Sequence, residues 1–162
     1  TALSLARRMD FKGKTVVTHS LQTATAISKQ KGAEVILLGG NLLYNMTSVS
    51  GSWTIAQIRE FSFDLSITSC AAISADGTYE RSMEQRDIKR AAFSRSRMNI
   101  LVADGTKFMC SAPFRTAALS VFDKIVLDCP PPENFAEKSA EESEISENKK
   151  SENAPATRFY FG

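Results

Sequence analysis

The chain has little of the chemistry from which metal centres and nucleophilic active sites are usually built. It contains one histidine, His19, and three widely spaced cysteines, Cys70, Cys110 and Cys129, with no Cys-x-x-Cys pair. That argues against a structural zinc site and against a disulfide framework. Reduced thiols in a cytoplasmic protein are the expectation. No apolar run approaches the roughly 18 residues of a membrane span, and the opening residues do not follow the charged-then-apolar plan of a signal peptide. GxGxxG, P-loop, GxSxG and HExxH patterns are missing. A single histidine would have to serve every nucleophile–base pair, so no covalent catalytic dyad can be read, and no cofactor or metal is expected.

Charge of one sign is also lacking. Twenty basic and 18 acidic residues leave +2. From Pro130 to Gly162 seven acidic residues face four basic ones, a net of −3, so residues 1–129 carry +5. That is mildly basic, and no Lys/Arg stripe with interleaved aromatics reads as a nucleic-acid surface.

What is there is an event that occurs three times. A β-branched run stops and a small polar cluster takes over. Thr15–Thr18 gives way to His19-Ser20-Leu21, Glu34–Leu38 to Gly39-Gly40-Asn41, and Met98–Ala103 to Asp104-Gly105-Thr106-Lys107. Helical spacing marks the first residues up to Met9, the stretch from Leu21 to Lys31, a segment carrying Ile55, Ile58 and Phe61, and Met83–Arg95. Ser20 suits the cap of the second helix and Ser52 or Thr54 that of the third. Further strands are expected at Phe63–Thr68 and Lys124–Leu127, a loop at Ala71–Tyr79, and a short helix at Thr116–Phe122. The run Glu34–Leu38 reads as a strand covered on both faces. Alternating strands and helices predict an α/β fold: an open, mostly parallel sheet with helices on both faces. In such sheets ligands bind where the loops at the strand carboxyl ends gather.

One domain is expected over residues 1–129. The chain does not begin with Met and enters directly into a helix, so an earlier segment is expected to precede it. After Pro130-Pro131-Pro132 the composition turns to Glu, Ser, Lys and Asn, and residues 130–162 are expected to form a disordered acidic tail. Its closing Phe159-Tyr160-Phe161 is either part of that disorder or a dock onto something else.

Several residues could carry a ligand. His19-Ser20 lies between a strand and a helix, where free amides and the helix dipole favour an anion such as phosphate. A plain N-cap explains Ser20 equally simply. Thr1 opens the first helix in a similar setting. Gly39 and Gly40 permit close backbone approach, as would any tight turn. Asp104 and Lys107 can hold a hydroxyl and a phosphate, or simply pair with each other. His19 could donate a hydrogen bond or accept a proton. Glu84, Asp87 and Lys89 read as a solvated or loop-facing helix face.

Taken in order, these segments resemble the C-terminal sensor domain of DeoR-family bacterial transcriptional regulators. The residues that carry the resemblance are Thr1–Ala6, Thr15–Leu21, Glu34–Leu42, Phe63-Asp64-Leu65, Asp76-Gly77, Ile88-Lys89-Arg90, Leu101–Phe108 and Asp123–Asp128. The family usually has Asn-Ser-Leu where this chain has His19-Ser20-Leu21, and its Asp-x-Gly-Thr-Thr loop would precede the first helix. The resemblance implies the fold shared by ribose-5-phosphate isomerase and CoA transferases, with the first strand and a DNA-binding winged helix-turn-helix missing from these residues. It implies a non-enzymatic cytoplasmic sensor, in a homo-oligomer, that binds a phosphorylated sugar or related metabolite and controls operator DNA through the missing domain, as a repressor. The ligand-binding residues it implies are Thr1, His19, Ser20, Leu21, Gly39, Gly40, Asp104 and Lys107. A sugar-phosphate isomerase of the same fold and a ligand-free oligomerisation domain are the alternatives.

Overall fold

The computed structural model describes residues 1–42, 47–132 and 158–161. Its centre is a parallel sheet of six strands: β1 (Thr15–Thr18), β2 (Glu34–Leu37), β5 (Leu65–Thr68), β8 (Asn99–Ala103), β10 (Lys124–Leu127) and β11 (Arg158–Phe161). Their order across the sheet is β10-β8-β5-β11-β1-β2. Val16 and Val17 show why both faces must be covered. Neighbouring side chains on a strand point to opposite faces, and both valines are fully buried. Val16 packs with Ala2, Ala6, Phe11 and Ile27, under α1 (Ala2–Ala6) and α2 (Leu21–Ser28). Val17 packs with Ile58, Phe63, Ile88 and Ala92, under α3 (Ser52–Glu60) and α4 (Met83–Ser94). The expected α/β architecture with a parallel sheet is therefore what forms.

Two small antiparallel sheets complete it. One pairs β3 (Asn41–Leu42) with β4 (Val49–Ser50). The other orders β6 (Ala72–Ser74), β7 (Gly77–Glu80) and β9 (Phe114–Ala117) side by side. These correct two expectations. The loop expected at Ala71–Tyr79 is a hairpin, turning before Gly77. The helix expected at Thr116–Phe122 is the end of β9 followed by a 3-10 turn, Leu119–Val121. In both places short polar strands pair locally without the long alternation that marks a core strand.

Two smaller differences concern edges and caps. Strand β2 is an edge strand, and its Leu37 is 44% exposed, so Glu34–Leu37 is not covered on both faces. Helix α3 starts from Gly51, with Ser52 as its first helical residue. Thr54 does not cap the helix: its hydroxyl donates to Gly39 O at 2.8 Å.

The largest difference is at the far end of the chain. The terminal aromatics, expected at a disordered end, form β11, the strand between β1 and β5. Without it the sheet would be two pieces with two unpaired edges. Backbone groups at such edges demand partners, and Phe-Tyr-Phe is strong strand-forming sequence. The domain expected at residues 1–129 thus takes a strand from beyond that boundary. Residues 133–157 of the expected tail lie outside the described residues.

Candidate functional site

Strand order gives a candidate place for a site. From β1 the chain steps outward to β2, whereas from β5 it steps the other way to β8 and β10. The reversal falls at β11. A crevice opens at the carboxyl ends of strands on either side of such a point. The turns that border it are His19-Ser20 after β1, Ser69-Cys70 after β5, and Asp104–Lys107 after β8.

At the β8 border the first and second thirds of the chain meet. Thr1 Oγ1 donates to Asp104 Oδ2 at 2.9 Å. The Thr106 hydroxyl donates to the other carboxylate oxygen, and Lys107 Nζ stands 3.8 Å from Oδ2. Hydrogen bonds from Thr106 and then Thr1, aided by the Lys107 charge, hold the Asp104 carboxyl below its ordinary range. An ionised acceptor, a cation and two hydroxyls therefore share one spot. Asp104 and Lys107 do pair, but loosely, and Lys107 is only partly covered.

At the β1 border the picture is different. Ser20 is the N-cap of α2: its Oγ accepts from Thr23 N at 3.2 Å. The Leu21 amide donates to Thr47 O at 2.9 Å. Two donors that an anion would need are therefore already engaged. The Leu21 side chain lines a surface groove of about 530 Å³ with Arg7, Gln22, Thr25, Lys29 and Thr47, across α1 and α2. That groove is wide open and holds none of the other expected site residues.

His19 is not a loop donor facing solvent. It is buried, stacked on Tyr160 with ring centroids 6.0 Å apart. Tyr160 Oη lies 2.8 Å from its Nδ1, and Gln85 Oε1 lies 3.4 Å from its Nε2. Burial first, and the nearby Lys89 charge second, push its pKa down to about 4, against the opposing Gln85 hydrogen bond. His19 is neutral at pH 7 and serves inside the wall of the site.

Gly39 and Gly40 lie apart, at the end of β2 under α3. The Gly39 amide donates to Gln57 Oε1 at 3.0 Å, and its carbonyl accepts from Thr54 and Gln57. A Cβ on Gly40 would collide with Thr54 Oγ1 and stand 2.7 Å from Ser50 O. The pair is there for close packing of the β2–α3 corner.

Sequence reasoning missed Lys89. Its helix face is not solvated at this position: Lys89 is 7% exposed and faces the turn after β5. Its ammonium donates to Glu80 Oε1 and to Ser69 O at the end of β5. A lysine has three N–H donors, and these two bonds use two of them. The Oγ1 of neighbouring Thr68, at the end of β5, is buried without a partner. Lys89 also lies between the two borders: its charge acts on His19 and on Cys70, and Cys70 in turn senses Lys107 and Asp104. Cys70 itself is inert as a thiol, pushed up to about 12 chiefly by burial. The sequence signals for Lys89 were its place beside Ile88, within one turn of Ala91 and Ala92, and its part in the Ile88-Lys89-Arg90 segment of the family resemblance.

Residues 1–129 match the family described as the DeoR C terminal sensor domain. The chain belongs to that family. The sensor domain is 30% identical over 118 residues to the glycerol-3-phosphate regulon repressor of Escherichia coli (strain K12), covering 72% of this chain and 47% of the relative. It is 26% identical over 137 residues to the HTH-type transcriptional repressor GlcR of Bacillus subtilis (strain 168), covering 85% and 53%. Against the glycerol-3-phosphate regulon repressor of Haemophilus influenzae it is 31% identical over 106 residues, covering 65% and 41%. The chain spans about half the length of the curated relatives it matches. Those relatives are named as repressors. Among the described residues no helix is long and apolar enough to cross a membrane.

Proposed function

We propose that this sensor domain binds a phosphorylated sugar or polyol in the crevice beside β11, without turning it over, in a cytoplasmic homo-oligomer. The observation that carries the reading is the meeting of Thr1, Asp104 and Lys107 at the carboxyl edge, with buried Lys89 behind them. Lys107 and the third N–H of Lys89 supply positive charge for a phosphate. Asp104, kept ionised, accepts from sugar hydroxyls. Ser20, whose hydroxyl lies at the opposite border while its amide donates to Thr18 Oγ1, completes the rim. His19, Leu21, Gly39 and Gly40 shape the surroundings. The fold on this reading is that of ribose-5-phosphate isomerase and CoA transferases. Occupancy is passed to an N-terminal winged helix-turn-helix on operator DNA, and this requires different ligand affinity in the two states of the regulator.

The test is a thermal-shift panel of glycerol 3-phosphate, ribose 5-phosphate, glucose 6-phosphate and fructose 6-phosphate, each beside its unphosphorylated form. A ligand that binds only the folded state raises the melting temperature by mass action. A shift with one phosphorylated compound, lost in Lys107→Ala while the fold persists, supports the reading. Equal shifts with phosphorylated and free forms, or none with any, overturn it. Turnover of any of the four in the same samples would restore the isomerase.

A further inference from the structure

The strand at the centre of the sheet is also the one that comes from farthest along the chain. Strand β11 pairs with β1 in register, Val17 opposite Tyr160 and Thr18 opposite Phe161. On its other side it pairs with β5, Tyr160 opposite Ser66. Tyr160 is fully buried in the core with Val17, Phe63 and Ile88. Its hydroxyl is the one polar atom it brings there, and it is spent on His19 Nδ1 across a sequence separation of 141 residues.

The hydrogen bonds from that point run in one direction. The phenol is held strongly on its protonated side by burial, so its O–H donates and Nδ1 accepts. A neutral imidazole whose Nδ1 accepts carries its proton on Nε2. Nε2–H then donates to Gln85 Oε1, and Gln85 Nε2 donates to Ser48 Oγ at 3.3 Å. Ser48 is bridged to Ser20, and the next residues bind the same turn from both sides: Val49 N donates to His19 O and Leu21 N to Thr47 O. A chain of four side chains therefore joins the middle of the sheet to the rim of the site.

We propose that Tyr160 is a positioning residue of the ligand site: by fixing the His19 tautomer it orients Gln85, holds Ser48 against Ser20, and so sets the β1–α2 turn only when β11 is seated between β1 and β5. The claim rests on the crevice being the ligand site, but its physical core does not need a ligand. A hydroxyl chosen only for solubility of the strand would have no partner here. A Phe would fill the same volume and leave Nδ1 without a donor. Either ring nitrogen could then carry the proton, and the direction of the Gln85–Ser48 contact would no longer be specified. The site is on this account assembled from both ends of the chain, Thr1 at the β8 border and Tyr160 beneath the β1 border.

The experiment uses the full chain as wild type, Tyr160→Phe and Gln85→Leu. Long-range proton–nitrogen spectra report the His19 tautomer, backbone amide shifts report Ser20, Leu21 and Ser48, and titration with glycerol 3-phosphate and with inorganic phosphate reports binding. The expected result is an Nε2–H tautomer in the wild type and in Gln85→Leu, and a mixture in Tyr160→Phe. Both variants should shift the Ser48 and Ser20 amides and weaken binding about fivefold, the size of a typical coupling through packed side chains. Unchanged tautomer and amide shifts in Tyr160→Phe, with only a lower melting temperature, would mean that Tyr160 merely fills the core, and the proposal falls. Should Tyr160→Phe not fold, Gln85→Leu decides by the same amides and titration. Absence of binding by the wild type would remove the ligand reading alone, because the tautomer and amide results still judge the role of Tyr160.

Discussion

Glu80 and Lys89 form a buried ion pair that joins β7 of the small sheet to α4 of the main layer, their side chains 9% and 8% exposed. The lysine is also bound to Ser69 O, at the mouth of the crevice. Charges this deep are tolerated only with a partner. Replacement of one partner leaves the other unpaired, so Glu80→Gln should lose about 3–5 kcal/mol of unfolding free energy in urea. Glu80→Gln combined with Lys89→Met should recover part of that loss. A double variant no better than the single one would show that the two charges do not act on each other.

The neutral burial of His19 makes the domain acid-sensitive in a particular window. Its folded pKa is lowered to about 4 from 6.5. Above pH 6.5 neither state binds the proton and no stability depends on it. Between 6.5 and 4 the unfolded chain is protonated and the folded one is not, so stability falls as pH falls. The full effect is about 3 kcal/mol, reached near pH 4, on the scale of 1.36 kcal/mol per pKa unit. Urea unfolding at pH 7.5, 5.5 and 4.5 checks the slope, and the imidazole spectrum should show no titration near 6.5 in the folded protein.

Gly40 is held where two groups leave no space. A methyl there would meet the Thr54 hydroxyl and the Ser50 backbone, and the backbone has φ +156°. Gly40→Ala should cost about 2 kcal/mol or more through overpacking and backbone strain. Gly39→Ala, whose Cβ would meet only side-chain atoms of Trp53 and Gln57, at 3.3 Å or more, should cost less. Equal losses would argue that the pair acts as a unit.

Ser20 has two roles that one variant can separate. As the cap of α2 its removal in Ser20→Ala should cost about 1 kcal/mol without any ligand. Its contact with a ligand would appear only as a fall in affinity beyond that expected of a folded protein. Ser20→Asp keeps a cap and places a negative charge at the rim. It should keep the melting temperature and abolish any phosphate-dependent shift. A retained shift would move the phosphate away from Ser20.

Local patterns were legible where one helix or strand decides its own state. Ser20 capping α2, the inward Ile88, Ala91 and Ala92 of α4, and strands at Thr15–Thr18 and Lys124–Leu127 all follow from spacing and caps alone. Thr1, Asp104 and Lys107 were named from their residue types and do meet. The misreadings share a cause. Gln85 was not named because its side-chain partners, His19 and Ser48, lie far along the chain. Lys89 looked like surface because its partners lie outside its helix, Glu80 on β7 and Ser69 just after β5. The hairpin β6–β7 and strand β9 depend on pairing with each other, which no window of sequence displays.

The sequence by itself determined the class of fold, the alternation of strands and helices, and the polar turns at the strand ends. It did so because hydrophobic period and capping act over neighbouring residues. Only the tertiary structure decided that Arg158–Phe161 is the middle strand, that Lys89 is inside, and that His19 is walled in by Tyr160 and Gln85. Each of those outcomes rests on backbone groups or charges finding partners far along the chain. Such a choice is made by the free-energy cost of leaving them unpaired, and it is settled only when the whole sheet has closed.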